Sequence, residues 1–366
     1  MKIAYKALAA LALSALATAA SAQQYPEKPI RLVIPFPPGG GTDVVARVIA
    51  QKLGESTGWT LVADNKPGSG GSVGLSLAGK AAPDGYTIVL AQNANLVINP
   101  ILGKANYDPI KDFAPIGLVA SAPQVLVVAK DSPLKTVEDL IAAAKAKDGK
   151  LTFASPGVGT SSHLAGELIQ QIAGVKFRHV PYKGAAQALP DLLGGRVEIY
   201  ISSVPSAMVQ IKEGVLRPIA VFATKRDADL PDVPTFEEKG LKNSEAVTWW
   251  GLAAPAGVPA PIVARINTEL NKVLKQPDTQ AKLRSAGAEA LSGTSDEFGA
   301  LIKSDVPKWT AVIKAADVKV ADRADAQAGA ATERRRFPGM SHHPSQKVCV
   351  PAEPCRAARH HCGYRP

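Results

Sequence analysis

The stretch Pro35-Phe36-Pro37-Pro38-Gly39-Gly40-Gly41-Thr42-Asp43 decides how this chain is read. An apolar run from Ile30 to Ile34, interrupted by Arg31, leads into it. Val44, Val45, Val48, Ile49 and Leu53 recur behind it at helical spacing. The order is strand, Pro/Gly turn, helix. Such a turn leaves backbone N–H groups unpaired at a helix start, where the helix dipole also favours negative charge. A carboxylate, phosphate or sulfate binds there without a charged side chain. The glycines remove Cβ atoms that would hold a ligand off the backbone, and the prolines stiffen the turn. The competing reading is a turn that only turns. No Gly-Lys-Ser/Thr follows the glycines, so this is not a nucleotide P-loop. Gly39-Gly40-Gly41 also lacks the spacing of a dinucleotide fingerprint. Asp43 stabilises the first helical turn yet repels a bare anion. Either it accepts a proton from a ligand ammonium, a ligand hydroxyl or a bound water, or it is only a helix-start acid.

The whole chain has 366 residues, room for two ordinary domains, and a formal charge of +10. That charge overstates the basicity of the folded part. Residues 23–320 hold 32 basic and 28 acidic residues, a net +4 spread along the sequence, which argues against a nucleic-acid partner. Lys2 and Lys6, the apolar Ala7 to Ala20 run and Ala20-Ser21-Ala22 form an export signal, residues 1–22, cleaved after Ala22. The run is too short to span a bilayer. The mature protein is expected to be soluble, periplasmic and monomeric. All three cysteines lie in the last stretch, so residues 23–320 must fold on core packing without disulfides.

Further along, Trp59 to Ala63 reads as a strand and Asn65 to Ser72 as a second Gly-rich turn. Thr87 to Leu90 is a strand that runs on to Gln92-Asn93-Ala94-Asn95. Amides at a strand's C-terminal end point into the crevice where open α/β sheets bind ligands. Ile116 to Val119 and Val125 to Ala129 read as two strands. Thr136 to Asp139 is a capping-box pattern. Leu151 to Ser155, then Pro156-Gly157-Val158-Gly159-Thr160-Ser161-Ser162, then Leu164, Leu168, Ile169 and Ile172, repeat the opening logic of strand, Pro/Gly turn, hydroxyl, helix. Two such turns would set two helix N-termini across one cleft. A helix is expected around Gln187 to Leu193, with Pro190 in its first turn. Trp249-Trp250 reads as interdomain core. Strands alternate with helices throughout, so each domain is α/β with a mostly parallel sheet. Residues 321–366, with Arg334-Arg335-Arg336, two His-His pairs and no apolar periodicity, read as a disordered tail.

Chemistry is poorly provided for. Within 23–320 the only histidines are His163 and His179. Gly-x-Ser-x-Gly is absent, as is His-x-x-x-His, so no catalytic residues, no metal and no cofactor are expected. An exported hydrolase using Ser161 and His163 is the disfavoured alternative.

The ordered set Tyr25-Pro26-x-Lys28-Pro29-Ile30-Arg31, Pro35-Phe36-x-Pro38-Gly39-Gly40-x-Thr42-Asp43, Asn65-Lys66-Pro67-Gly68, Ala82-Pro83-Asp84-Gly85-Tyr86-Thr87, Asn99-Pro100, Pro181-Tyr182-Lys183-Gly184, Leu193-Gly194-Gly195, Pro231-x-Val233-Pro234-Thr235 and Trp250-Gly251-Leu252 resembles one family. It is that of the extracytoplasmic tricarboxylate-binding receptors, or Bug proteins, the solute-binding components of tripartite tricarboxylate transporters. The match covers residues 25–318; the tail departs from it. The resemblance implies a two-domain, periplasmic-binding-protein-like (Venus flytrap, type II) fold with the ligand cleft between domains. Residues 23–122 with 248–320 would form one domain and 123–247 the other, with crossings near Ser121–Val125 and Val247–Gly251. It implies a small di- or tricarboxylate, acidic amino acid or aromatic carboxylate held by loop N–H groups and waters. Delivery would be to a permease with large and small integral subunits; the alternative is presentation to a sensor. Carried onto this chain, the ligand-binding candidates are Phe36, Pro38, Gly39, Gly40 and Asp43, then Ser69, Gln92 and Asn93, and from the other domain Gly159, Thr160, Ser161, Ser162, Tyr182 and Lys183. On this reading Asp43→Ala weakens ligand binding and leaves the fold largely intact.

Overall fold

One strand, β4 (Phe113–Ala129), belongs to two sheets at once. As far as Pro123 it pairs antiparallel with β9 (Val247–Pro255); from Gln124 onward it pairs with β7 (Ile199–Ser203) and β8 (Leu216–Val221). The sequence reading expected two separate strands here. The residues between them, 120–124, are extended backbone, which the fixed φ of Pro123 fits. This computed structural model describes residues 25–315 and 318. The signal segment 1–22 and the tail 321–366 lie outside the described residues.

The first sheet runs β2 (Leu61–Asn65), β1 (Ile30–Ile34), β3 (Thr87–Gln92), β9, β4, with β10 (Glu289–Ala290) beyond. The second runs from β4 through β7 and β5 (Thr152–Ser155) to β6 (Arg178–Pro181), with β8 on the other side of β4. Away from the crossing strands the pairs are parallel, β1 with β2 and β3, β5 with β6 and β7. Beside β4 and β9 they are antiparallel. The fold is α/β, two-domain and periplasmic-binding-protein-like.

Both faces of each sheet are packed. Leu32 and Ile34 join one core while Val33 joins the other, and Leu126 and Val128 separate in the same way from Val125 and Val127. This alternation follows from the pleat, and apolar residues on both faces mark strands covered on both sides. It also separates the two rings of Trp249-Trp250. The two rings lie on opposite faces of the first sheet, Trp250 in a core without residues from 123–247 and Trp249 in one that also takes in Leu164.

Helices α1 (Gly41–Thr57), α2 (Ser72–Gly79), α3 (Val137–Lys147), α4 (Ser161–Ala173), α5 (Ala185–Leu193), α6 (Val204–Lys212), α7 (Ala260–Leu274), α8 (Pro277–Ser285) and α9 (Ser295–Ala315) form the outer layers. The capping box of α3 is present: Thr136 Oγ1 accepts the Asp139 N–H, and Asp139 accepts the Thr136 N–H. Pro190 is a correction. Helix α5 starts at Ala185, so Pro190 lies inside it and withholds the hydrogen bond that the Ala186 carbonyl would accept.

Candidate functional site

Four helices begin directly after strands and aim their N-termini at one cavity of about 30 Å³ between the two sheets. Helix α1 brings Gly41 and Thr42. Helix α4 brings Ser161 and Ser162 behind its cap Thr160. Helix α5 brings Ala185 behind Gly184, and α6 brings Ser206 behind Ser203. Gln92 and Thr248 complete the polar wall, and Phe36, Pro37 and Pro156 the apolar one. None of the lining residues is charged. The field in the cavity is therefore that of helix termini and hydroxyls, all suited to an anion.

Hydrogen bonds across the cleft hold it nearly shut. The Gly41 N–H donates to Ser206 Oγ at 2.8 Å, and Ser161 Oγ donates to Asn93 Oδ1 at 2.9 Å. At the crossing strands Gln124 accepts from Ser162 Oγ at 2.6 Å and donates to Thr248 Oγ1 at 2.7 Å. Thr42 Oγ1 accepts from Trp250 Nε1 at 3.0 Å and from Gln92 Nε2 at 3.2 Å. With both lone pairs taken, Thr42 has only its hydroxyl hydrogen left to offer, a donor.

A second chamber of about 220 Å³ adjoins the first and shares Phe36 and Pro156 with it. The Gly68–Gly71 loop and Lys104 line one side, Val158, Tyr182 and Lys183 the other.

The predicted residues therefore divide. Phe36, Gly40, Gln92, Thr160, Ser161 and Ser162 line the inner chamber; Ser69, Tyr182 and Lys183, with Phe36, line the outer one. Asn93 does not line either chamber but reaches Ser161 from behind, and its amide donates to the Val247 carbonyl on a crossing strand. Gly159, at φ +79°, is a close-approach residue: a Cβ there would run into the Asn99 side chain. Pro38 and Gly39 sit exposed on the outer edge of the loop.

Asp43 is a correction. It is buried and outside both chambers. Its carboxylate accepts from the Gly39 N–H at 3.0 Å, Arg47 Nε at 2.9 Å and Asn65 Nδ2 at 2.9 Å. Burial pushes this carboxyl up, but the hydrogen bonds from Arg47, Asn65 and Gly39 outweigh it and hold it below the usual range. Three donors hold it to shaping the loop, and it does not line either chamber.

Sequence reasoning missed Thr42, Gln124, Ser203, Ser206, Thr248 and Lys104. Gln124 carried a signal, a lone amide in the apolar run Val125 to Ala129 and its approach. Ser203-Val204-Pro205 repeats, in weaker form, the strand, proline, helix order of the opening stretch.

Behind the α4 turn, His163 and His179 stack with ring centroids 4.0 Å apart. His179 Nε2 meets Ser155 Oγ at 2.7 Å, and His163 Nδ1 accepts the Gly159 N–H at 3.4 Å. Burial, then the neighbouring His163 and Lys104, push the His179 imidazole down to about 2. The Ser161 and Ser162 hydroxyls donate to Asn93 and Gln124, so neither is paired with His163 as a nucleophile with its base.

A family model, Tripartite tricarboxylate transporter family receptor, matches residues 45–318. The chain belongs to this receptor family. Protein BugT of Bordetella pertussis (strain Tohama I) is 34% identical over 312 residues, which cover 85% of this chain and 96% of BugT. The structure of the periplasmic binding protein BugD is similar at a TM-score of 0.77 and 36% identity, covering 81% of this chain and 99% of BugD. The R. palustris protein Rpa4515, solved with adipate, gives a TM-score of 0.79 at 34% identity, over 81% of this chain and 99% of that one. Family and fold are those of substrate-binding receptors. Among the receptor's described residues, no helix is long and apolar enough to cross a membrane.

Proposed function

We propose that this receptor is exported, loses its signal after Ala22, and captures a small carboxylate between its domains for delivery to a tripartite tricarboxylate-type permease with large and small integral subunits. Residues 23–122 with 248–320 and residues 123–247 act as the two jaws, turning about the crossing strands β4 and β9. The observation that carries this reading is the meeting of four helix N-termini at a cavity without a charged side chain. Such a cavity favours a carboxylate through backbone N–H groups and hydroxyls. The adipate bound by a relative of the same fold supports the same ligand class. Ligand classes that fit are di- and tricarboxylates, acidic amino acids and aromatic carboxylates.

A thermal-shift screen of the mature chain tests the proposal, with citrate, malate, adipate, glutamate and benzoate set against sulfate and glucose. A ligand that binds only the folded state stabilises it by about 2.7 kcal/mol at a hundred times its Kd. At least one carboxylate is expected to raise the midpoint by several degrees. A midpoint that no carboxylate moves would overturn the reading.

A further inference from the structure

Lys104 is the one cation of the first domain on the wall of either chamber, and the outer chamber it lines contains no aspartate or glutamate. It follows the turn Asn99–Ile101 and lies half-buried. Its ammonium donates to the Val158 carbonyl at 2.9 Å, across the cleft, and has no acidic partner among the described residues. Other cations near the cleft are committed: Arg47 pairs with Asp43, and Lys66 with Asp64. A cation taken out of water without an anion is costly, and burial pushes this ammonium below the usual lysine range. On the opposite wall Lys183 adds a second, exposed positive charge. The inner chamber, by contrast, is lined only by neutral groups.

We propose that Lys104 reads a second carboxylate. The ligand's first carboxylate sits at the four helix starts of the inner chamber, its body passes Phe36 and Pro156, and its second carboxylate meets the Lys104 ammonium in the outer chamber. This rests on the carboxylate-receptor reading above and narrows it to ligands with two separated carboxylates. A dicarboxylate supplies the missing counter-charge where a monocarboxylate of the same length leaves the ammonium with a neutral carbonyl alone. A charge-assisted hydrogen bond of this kind is worth about tenfold in affinity or more. Lys104 then acts as the specificity residue, while the neutral chamber recognises what all the ligands share.

Calorimetry with matched pairs differing by one carboxylate tests this: butyrate and succinate, hexanoate and adipate, benzoate and terephthalate. For at least one pair the parent protein is expected to favour the dicarboxylate about tenfold or more. In Lys104→Met that ratio should fall to about one, and Lys104→Arg should restore most of it. A lysine that only latches the domains through Val158 would, when removed, weaken both members of a pair alike and leave the ratio standing; that result overturns the inference. So does a parent protein that binds both members equally. If the parent binds neither member of any pair and no other carboxylate, the receptor reading fails with it, an outcome distinct from a retained ratio in Lys104→Met.

Discussion

Ser161 Oγ donates to Asn93 Oδ1 at 2.9 Å, joining the start of α4, which follows a strand of the second sheet, to the end of β3 in the first sheet. Both residues are buried, at 2% and 1% exposure, so the bond is shielded from water. It exists only while these two segments stay in contact. Ser161→Ala removes it and leaves Asn93 Oδ1 with the Ala94 N–H. A neutral hydrogen bond contributes about 0.5–1.5 kcal/mol net. Carboxylate affinity is therefore expected to fall by about two- to tenfold by calorimetry, with little change in the thermal midpoint without ligand. A midpoint that drops while affinity holds would place the bond in the fold rather than in closure.

Gly41 offers a sharper test of closure. A Cβ at this position would stand 2.5 Å from Ser203 Oγ and 3.0 Å from Ser206 Oγ, both across the cleft. It is the first residue of α1 and its φ is not in the left-handed region, so a side chain strains nothing within its own helix. Gly41→Val should hold the jaws apart. Small-angle scattering is expected to show no ligand-induced compaction, and affinity should drop by more than about tenfold, since the cavity needs both walls. Normal compaction in this variant would show that the two helix starts do not need to meet.

Asp43→Ala is expected to injure the fold more than the site. The carboxylate gathers Gly39, Arg47 and Asn65, three groups from the turn, the helix and the neighbouring strand. Hydrogen bonds to a buried charge contribute about 1.5–3 kcal/mol. Half-exposed Arg47 adds less than it would if buried, because solvent screens it. The loss should come to about 2 kcal/mol in urea unfolding at pH 7. The folded carboxyl titrates below its unfolded value, so its contribution is full above about pH 4 and fades as pH falls through the folded value. Parent and variant should accordingly draw together as pH falls below the unfolded carboxyl's range. Equal stability at pH 7, with ligand binding lost, would return Asp43 to the site.

The reach of the sequence can be seen from these residues. Gly39 to Thr42 and Gly157 to Ser162 were legible as helix starts, because local order alone makes a strand, a turn and an amphipathic helix. That α5 and α6 start at the same cavity was not legible. Which termini meet is fixed by strand order, and β7 lies beside β4 only in the folded sheet. Asp43 shows the same limit at one residue. Its spacing said first helical turn, and correctly so, but its partner Asn65 lies 22 residues on and arrives by the parallel pairing of β1 with β2. Lys104 carried no pattern at all. A single lysine after Asn99-Pro100 looks like any surface charge until the cleft brings Val158 to it. The family resemblance reached the fold because its motifs mark turns and caps, which are local.

His179 should make the receptor lose stability in acid. Its ring lies between Phe153 and His163, with centroids at 4.6 and 4.0 Å, and its Nε2 meets Ser155 Oγ. Burial, His163 and Lys104 all oppose a positive charge there, and the folded imidazole stays neutral down to about pH 2. In the unfolded chain the same group takes up a proton below about pH 6.5. Between those values the unfolded state binds the extra proton, so stability falls as pH falls, by up to about 1.4 kcal/mol per pH unit for this one group. From pH 6.5 to 5 the loss is about 1.6 kcal/mol, because the unfolded imidazole is only half protonated at the upper end. His179→Gln retains an amide able to bond Ser155 but does not titrate, so its urea midpoint should decline less steeply over that interval than the parent's. Carboxylate affinity of the folded receptor should hold over the same interval in parent and variant alike, because the folded imidazole takes up no proton there. Parallel declines in both proteins would show that His179 titrates normally and that the acid sensitivity lies elsewhere.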